Sequence, residues 1–136
     1  MDSNSFWKKW RKSFVPAITW EQLTASCNEG LYWEVFPFMM EQDARLLSGE
    51  EAKAAYTRAN KDGAFCIRTY NYKDTETSLL PEKYFDAKQA NRIHELYVVA
   101  SDWSWTYVST HENDWFGPYF CKRAIPEYEK YDRNYK

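Results

Sequence analysis

The sequence predicts a single α+β domain, a small and mostly antiparallel sheet flanked by three or four helices. Three observations carry this. "ELYVVAS" (95–101) and "WTYVSTH" (105–111) read as the two arms of an antiparallel hairpin, and "AFCIRTY" (64–70) as a further strand. "ITWEQL" and "LSGEEAKAAYTRANKDG" carry helix start signals and apolar residues at helical spacing between those strands. A chain of 136 residues is one domain by length, spanning 1–136, and buries enough surface to need no disulfide or metal staple.

In chain order, Phe6, Trp7, Trp10 and Phe14 share one side of a helix over 1–14, with Lys8, Lys9, Arg11 and Lys12 between them. Such a helix suits a membrane surface or a partner's groove, but packing on the core with its charges outward is the reading preferred. Pro16 ends it. Thr19 and Gln22 form a capping box, Ile18 can staple against Leu23, and the second helix runs to about Asn28 with Gly30 after it. "LYWEVF" (31–36) is ambiguous by period and is assigned as a buried strand ended by Pro37. Ser48 and Glu51 make a second capping box, followed by the stripe Ala52, Ala55, Tyr56 and Ala59, and Asp62-Gly63 closes that helix. "NYKDTETSLLPE" (71–82) reads as a surface loop, and a short helix falls within 82–93. The tail 122–136 places Tyr128, Tyr131 and Tyr135 at helical spacing after Pro126, as a docked helix or a frayed end.

Composition narrows the function classes. Aromatic residues make up 19% of the chain, more than one small core must hold, so either rings cluster at the surface or the core is built largely of rings. Cys27, Cys66 and Cys121 are odd in number and have no C-x-x-C spacing, which fits neither a disulfide framework nor a zinc ribbon. The N-terminus lacks the apolar run of a signal peptide, and "GLYWEVFPFMM" is too short and interrupted to span a bilayer. A reduced, cytoplasmic protein is the expectation. The formal net charge is −2, but the body between residues 14 and 121 holds nine basic and sixteen acidic residues, while both ends are mildly basic. An acidic body disfavours duplex nucleic acid and suits a basic protein partner.

The chemistry-bearing residues gather in "SWTYVSTHENDWFGPYF" (104–120). Alternation along a strand puts Trp105, Tyr107, Ser109 and His111 on one face and Thr106, Val108, Thr110 and Glu112 on the other. His111 and Glu112 therefore converge only if the strand ends or bulges there. Hairpin register decides what faces His111. A four-residue loop, Ser101 to Ser104, pairs Ala100 with Trp105 and sets His94 opposite His111; a three-residue loop sets Glu95 there, and a two-residue loop Leu96. A pair of histidines could bind a metal or titrate near neutral pH, but no specific third ligand is present. Cys121 or Cys66 with His111 and Asp114, or Glu112 with Asp114, can be drawn as catalytic sets, yet no local signature surrounds them. No resident metal and no cofactor is expected, and no catalytic residue is assigned.

"WTYVSTHE" followed by "GPYF" resembles the signature of an uncharacterised family of small bacterial proteins of unknown function. "LYWEVF", "LSGEEAKAAY" and "LYVVASDWSW" fit the same pattern, so the resemblance covers most of residues 20–120, with its specific core at Trp105–Glu112 and Gly117–Phe120. In that family a histidine often stands near the position of Glu34, so a shared metal site does not carry over to this chain. The resemblance implies the fold and marks the signature, but it brings no activity.

Two functional classes follow. The first is a non-enzymatic protein-binding module, such as an immunity, inhibitor or regulatory protein. Its contacts would be Trp103, Trp115, Phe116 and Tyr119, ringed by Asp102, Glu112 and Asp114. The second is a small hydrolase-like enzyme or ligand sensor with its site around His111, Glu112 and Asp114. Against both stands a bracing role for His111, tying down the turn by a hydrogen bond to a backbone carbonyl.

Overall fold

The computed structural model describes residues 2–27, 31–69, 77–113 and 115–124. Helices α1 (Ser3–Phe14) and α2 (Trp20–Ser26) lead into a 3-10 turn (Tyr32–Glu34) and helix α3 (Val35–Met39). Strand β1 (Leu46–Ser48) runs directly into α4 (Gly49–Arg58), followed by β2 (Phe65–Arg68) and β3 (Ser78–Leu79). A 3-10 turn (Glu82–Phe85), α5 (Ala87–Ala90), β4 (Leu96–Val99), β5 (Trp105–Ser109) and β6 (Tyr119–Lys122) complete the order. The six strands form one antiparallel sheet in the order β1-β6-β5-β4-β2-β3. This is the α+β architecture the sequence predicts. No described helix is long and apolar enough to cross a membrane.

Both faces of the sheet are covered, which is why every residue of β4 and β5 is buried. On one face α1, α2 and α3 bring Phe6, Trp7, Trp10, Phe14, Leu23 and Phe36 onto Ile67, Tyr97, Val99, Val108 and Cys121. On the other, α4 and α5 pack Ala52, Tyr56, Ala87 and Ala90 against Cys66, Leu96, Val98, Trp105, Tyr107 and Phe120. The high aromatic content thus serves two cores rather than one. Trp115 is the only exposed tryptophan of the seven. Each large apolar side chain taken fully out of water contributes about 1.5–3 kcal/mol.

Local signals account for most elements. Asp2 caps α1 by accepting from the Ser5 N–H at 2.8 Å, and the four apolar residues of its stripe are all buried, so α1 is a core helix. Thr19 and Gln22 form the reciprocal capping box of α2, with bonds of 3.1 and 2.9 Å; Ile18 and Leu23 join the same core cluster. The helix ends at Ser26, two residues short of the expected end, and Gly30 lies outside the described residues.

Three assignments need correcting. "LYWEVF" is not a strand: Trp33 and Phe36, three apart and both buried, share a helical face. Pro37 sits at the third residue of α3, where a missing N–H costs no helical bond, so it is accommodated rather than terminating. The second capping box does not form either. Ser48 makes no side-chain cap bond, because it belongs to β1 and pairs with Tyr119; the Gly49 N–H donates instead to the Pro118 carbonyl at 2.9 Å. Residues 71–76 and the tyrosines of the tail lie outside the described residues, as does the loop assignment that falls on them. Ser78–Leu79, assigned to that loop, pairs with β2.

Candidate functional site

Ala100 pairs with Trp105 across a four-residue loop, with the Ala100 N–H donating to the Trp105 carbonyl at 3.1 Å. Continued outward, this register would set His94 opposite His111, but the strands stop first, at Leu96 and Ser109. Glu95 takes a left-handed backbone (φ 58°), and its side chain is wholly buried. Its Oε2 accepts from Trp33 Nε1 at 2.5 Å, and its Oε1 accepts from the His111 backbone N–H at 3.0 Å. The His111 ring Nδ1 also meets Oε1. Trp33 is held from its other end, its backbone N–H donating to the Tyr97 hydroxyl at 2.8 Å.

A carboxylate only accepts hydrogen bonds, so Nδ1 carries the proton in this contact and Nε2 is left outward as the second ring nitrogen. That nitrogen lies 3.7 Å from Glu112 Oε1, a neighbouring charge rather than a hydrogen bond. His111 and Glu112 come to one side because β5 ends at Ser109 and the chain turns. The bracing partner of His111 is a buried side chain, Glu95, not a backbone carbonyl.

The turn that follows is tightly specified. Thr110 Oγ1 donates to the Phe116 carbonyl at 2.5 Å and accepts from the Glu112 N–H at 3.0 Å. Asn113 Oδ1 accepts from the Thr110 N–H at 2.9 Å, and its Nδ2 donates to Ser109 Oγ at 3.0 Å. The N–H groups of Trp115 and Phe116 both donate to the Glu112 carbonyl, at 2.8 and 2.6 Å. Gly117 (φ 108°) closes the corner where a Cβ would stand 3.1 Å from Thr110 Cγ2.

Between this corner, α3 and the β1–α4 junction lies a groove of about 810 Å³. Its apolar wall includes Phe38, Leu46, Trp115, Phe116 and Tyr119. Phe38 is 69% exposed and Trp115 85%, and the rings of Phe38 and Phe116 are 5.8 Å apart. Its charged residues are Glu41, Glu50 and Lys53, of which Lys53 is paired with Glu50 at 3.1 Å. Burial raises the Tyr119 phenol pKa, and the Glu112 carboxylate adds to the rise, so the neutral phenol persists on this wall.

Of the residues expected at a site, the structure brings His111, Glu112, Trp115, Phe116 and Tyr119 into this corner. Asp114 lies outside the described residues. Asp102 and Trp103 are at the far end of the β4–β5 hairpin. Asp102 is exposed and accepts from the Ser104 N–H at 3.0 Å; hydrogen bonding from the Ser104 side chain, and then from that N–H, lowers its pKa, and it borders a separate groove near Arg58 and Lys122. Trp103 is a core ring, 6% exposed, beneath Lys9. Trp33, Phe38, Glu41 and Glu50 were not expected. Trp33 was hidden by the strand assignment of "LYWEVF", Phe38 lay beyond the Pro37 taken to end that strand, and the carboxylates carry no signal separating them from any solvated face. Among the described residues no group of three or more His, Cys, Asp and Glu is placed to hold a metal ion.

The signature residues mostly build the scaffold. Trp105 stacks on Phe120 at 5.4 Å and Tyr107 on Tyr56 at 4.0 Å; Thr106 Oγ1 donates to the Val98 carbonyl and accepts from Trp10 Nε1. A family model described as a domain of unknown function, DUF4275, matches residues 3–120. The chain belongs to the DUF4275 family. No curated protein and no solved structure matches it. The DUF4275 match extends beyond the stretch on which the resemblance rests, taking in α1 and its ring of core aromatics. It brings no activity.

Proposed function

We propose that this DUF4275 protein is a non-enzymatic protein-binding module, working in the manner of an immunity, inhibitor or regulatory protein. It would hold a segment of another protein in the groove between α3 and the 110–118 corner. One observation carries the reading: a chain that buries its rings on both faces of the sheet leaves Trp115 and Phe38 exposed together at this groove. Large exposed rings beside a concavity are the anchors an interface uses, with charges around them setting partner choice. The surrounding carboxylates favour a basic partner.

The test is native mass spectrometry of the protein recovered from its own host, beside a Trp115→Ser/Phe38→Ser variant. A stoichiometric second polypeptide on the parent that is absent from the folded variant supports the module. The same polypeptide on both, or none on either, removes the groove from consideration.

A second reading, a small enzyme or ligand sensor, draws support from the His111 geometry. A buried carboxylate orienting Nδ1 leaves Nε2 outward as a proton acceptor beside Glu112. On that reading His111→Gln would abolish turnover or ligand binding while the chain stays folded.

A further inference from the structure

Trp115 has its ring face open to solvent, and among the described residues no aromatic ring or cation lies against it. Elsewhere among the described residues cations sit over rings three times: Lys9 over Trp103, Lys61 over Tyr56 and Lys83 over Tyr84, each at 4.9 Å. The groove beside Trp115 carries two exposed carboxylates, Glu41 and Glu50, and its single described cation, Lys53, is already engaged by Glu50. Glu112 stands close by, near enough to act on Tyr119 of the same wall. An open indole face lining the same groove as carboxylates attracts a cation twice over, through the ring quadrupole and through charge-assisted hydrogen bonds.

We propose that the groove receives an arginine of the partner protein, its guanidinium laid on Trp115 and bonded to Glu41 or Glu50, with an adjoining apolar residue against Phe38 and Phe116. This rests on the binding-module reading and names what that module recognises. Arginine fits better than lysine because its planar, weakly hydrated head stacks on a ring while donating in parallel to a carboxylate. A free polyamine fits less well, since it would leave the exposed ring of Phe38 uncovered. The volume of about 810 Å³ exceeds one guanidinium and accommodates the neighbouring residue of a polypeptide.

The probe is a library of random peptides displayed on phage, selected on the intact protein and counter-selected on Trp115→Ser/Phe38→Ser. The selected peptides are expected to carry arginine beside an apolar residue. Replacing that arginine by citrulline, which keeps the shape and removes the charge, is expected to weaken binding by about tenfold. Glu41→Gln/Glu50→Gln, at two exposed positions, should weaken the arginine peptide by a similar factor and leave the citrulline peptide unchanged. Equal binding of the two peptides, or groove-dependent peptides lacking arginine, overturns the arginine inference and leaves the module standing. Failure to select any groove-dependent peptide overturns both.

Discussion

His111 meets a single oxygen of Glu95, Oε1, with both its backbone N–H and its ring Nδ1, while the other oxygen holds the indole of Trp33. One wholly buried carboxylate therefore fastens the end of β5, the helical segment before α3 and the corner that displays Trp115. A buried charge is costly unless it is hydrogen-bonded, and this one is kept by three donors. The cost of removing either partner follows.

Glu95→Ala strips the acceptor from a buried indole and from the His111 backbone N–H, and should cost about 3 kcal/mol. Glu95→Gln, which turns an N–H₂ toward one of its donors, should cost about 1–3 kcal/mol. His111→Ala should fall in that same range, and a double-mutant cycle should return a coupling of about 1–3 kcal/mol. Urea denaturation of the five proteins, the parent, the three single variants and Glu95→Ala/His111→Ala, measures all of it. A coupling near zero would mean the contact is incidental.

Substituting the exposed rings should do the opposite. Trp115→Ser and Phe38→Ser act on side chains 85% and 69% exposed, so stability should stay within about 0.5 kcal/mol of the parent. Partner binding should be lost in the same proteins. A large drop in urea midpoint would assign the two rings to the fold.

Gly117→Ala places a Cβ 3.1 Å from Thr110 Cγ2 at a φ of 108°, which L side chains rarely adopt. The expected cost is about 1–3 kcal/mol. Because the corner carries Trp115, partner affinity should fall along with the denaturation midpoint. Gly49→Ala, at φ 61° with nothing within 4 Å of the new Cβ, is the control for backbone strain without crowding.

Alkaline pH should unfold the protein through its buried phenols. Burial raises the pKa of Tyr97 well above the ordinary value, with the Glu95 charge adding to it, and burial likewise raises Tyr56 and Tyr107. Groups raised in the folded state contribute stability that is whole below the unfolded value, about 10, and is lost as pH climbs from there towards their folded values. Urea midpoints should hold near neutrality and fall above about pH 10. Tyr97→Phe should flatten that fall while costing about 1–3 kcal/mol at neutral pH, because the Trp33 N–H loses its acceptor.

All three cysteines are buried, and burial pushes the thiol of Cys27 up to about 11, with Glu34 adding to it, and that of Cys121 up to about 12. Thiolate is the reactive form, so near neutral pH iodoacetamide should leave the native protein unlabelled and modify all three positions in denaturant. Fast labelling of Cys121 in the native state would contradict its burial in β6.

Where the local code and the tertiary packing agreed, the sequence was readable. Thr19 with Gln22 and the Ala52-Ala55-Tyr56 stripe needed nothing beyond neighbouring residues, whereas three loop lengths stayed open for the β4–β5 register until the structure paired Leu96 with Ser109. "LYWEVF" failed because its buried positions were set by contact with Tyr97 and Glu95, more than sixty residues away, and not by its own period. Ser48 failed for a related reason: pairing with Tyr119 claimed it for a strand. The alternation rule separated His111 from Glu112 correctly along an ideal strand, and only the corner closed by Thr110, Asn113 and Gly117 reunites them. The carboxylate that matters, Glu95, was visible only as one register alternative. It reaches His111 through a left-handed backbone instead, a conformation no local pattern announced.

The strand order leaves β1 and β3 at the rims of the sheet, three and two residues long. Rims that brief offer a stray strand almost no ladder of free N–H and C=O groups to extend, so backbone templating, the usual route to fibrils, is poorly served here. Among the described residues a partner is then distinguished by side chains rather than by a strand edge, and selectivity depends on a handful of positions that evolution can alter one at a time without disturbing the sheet.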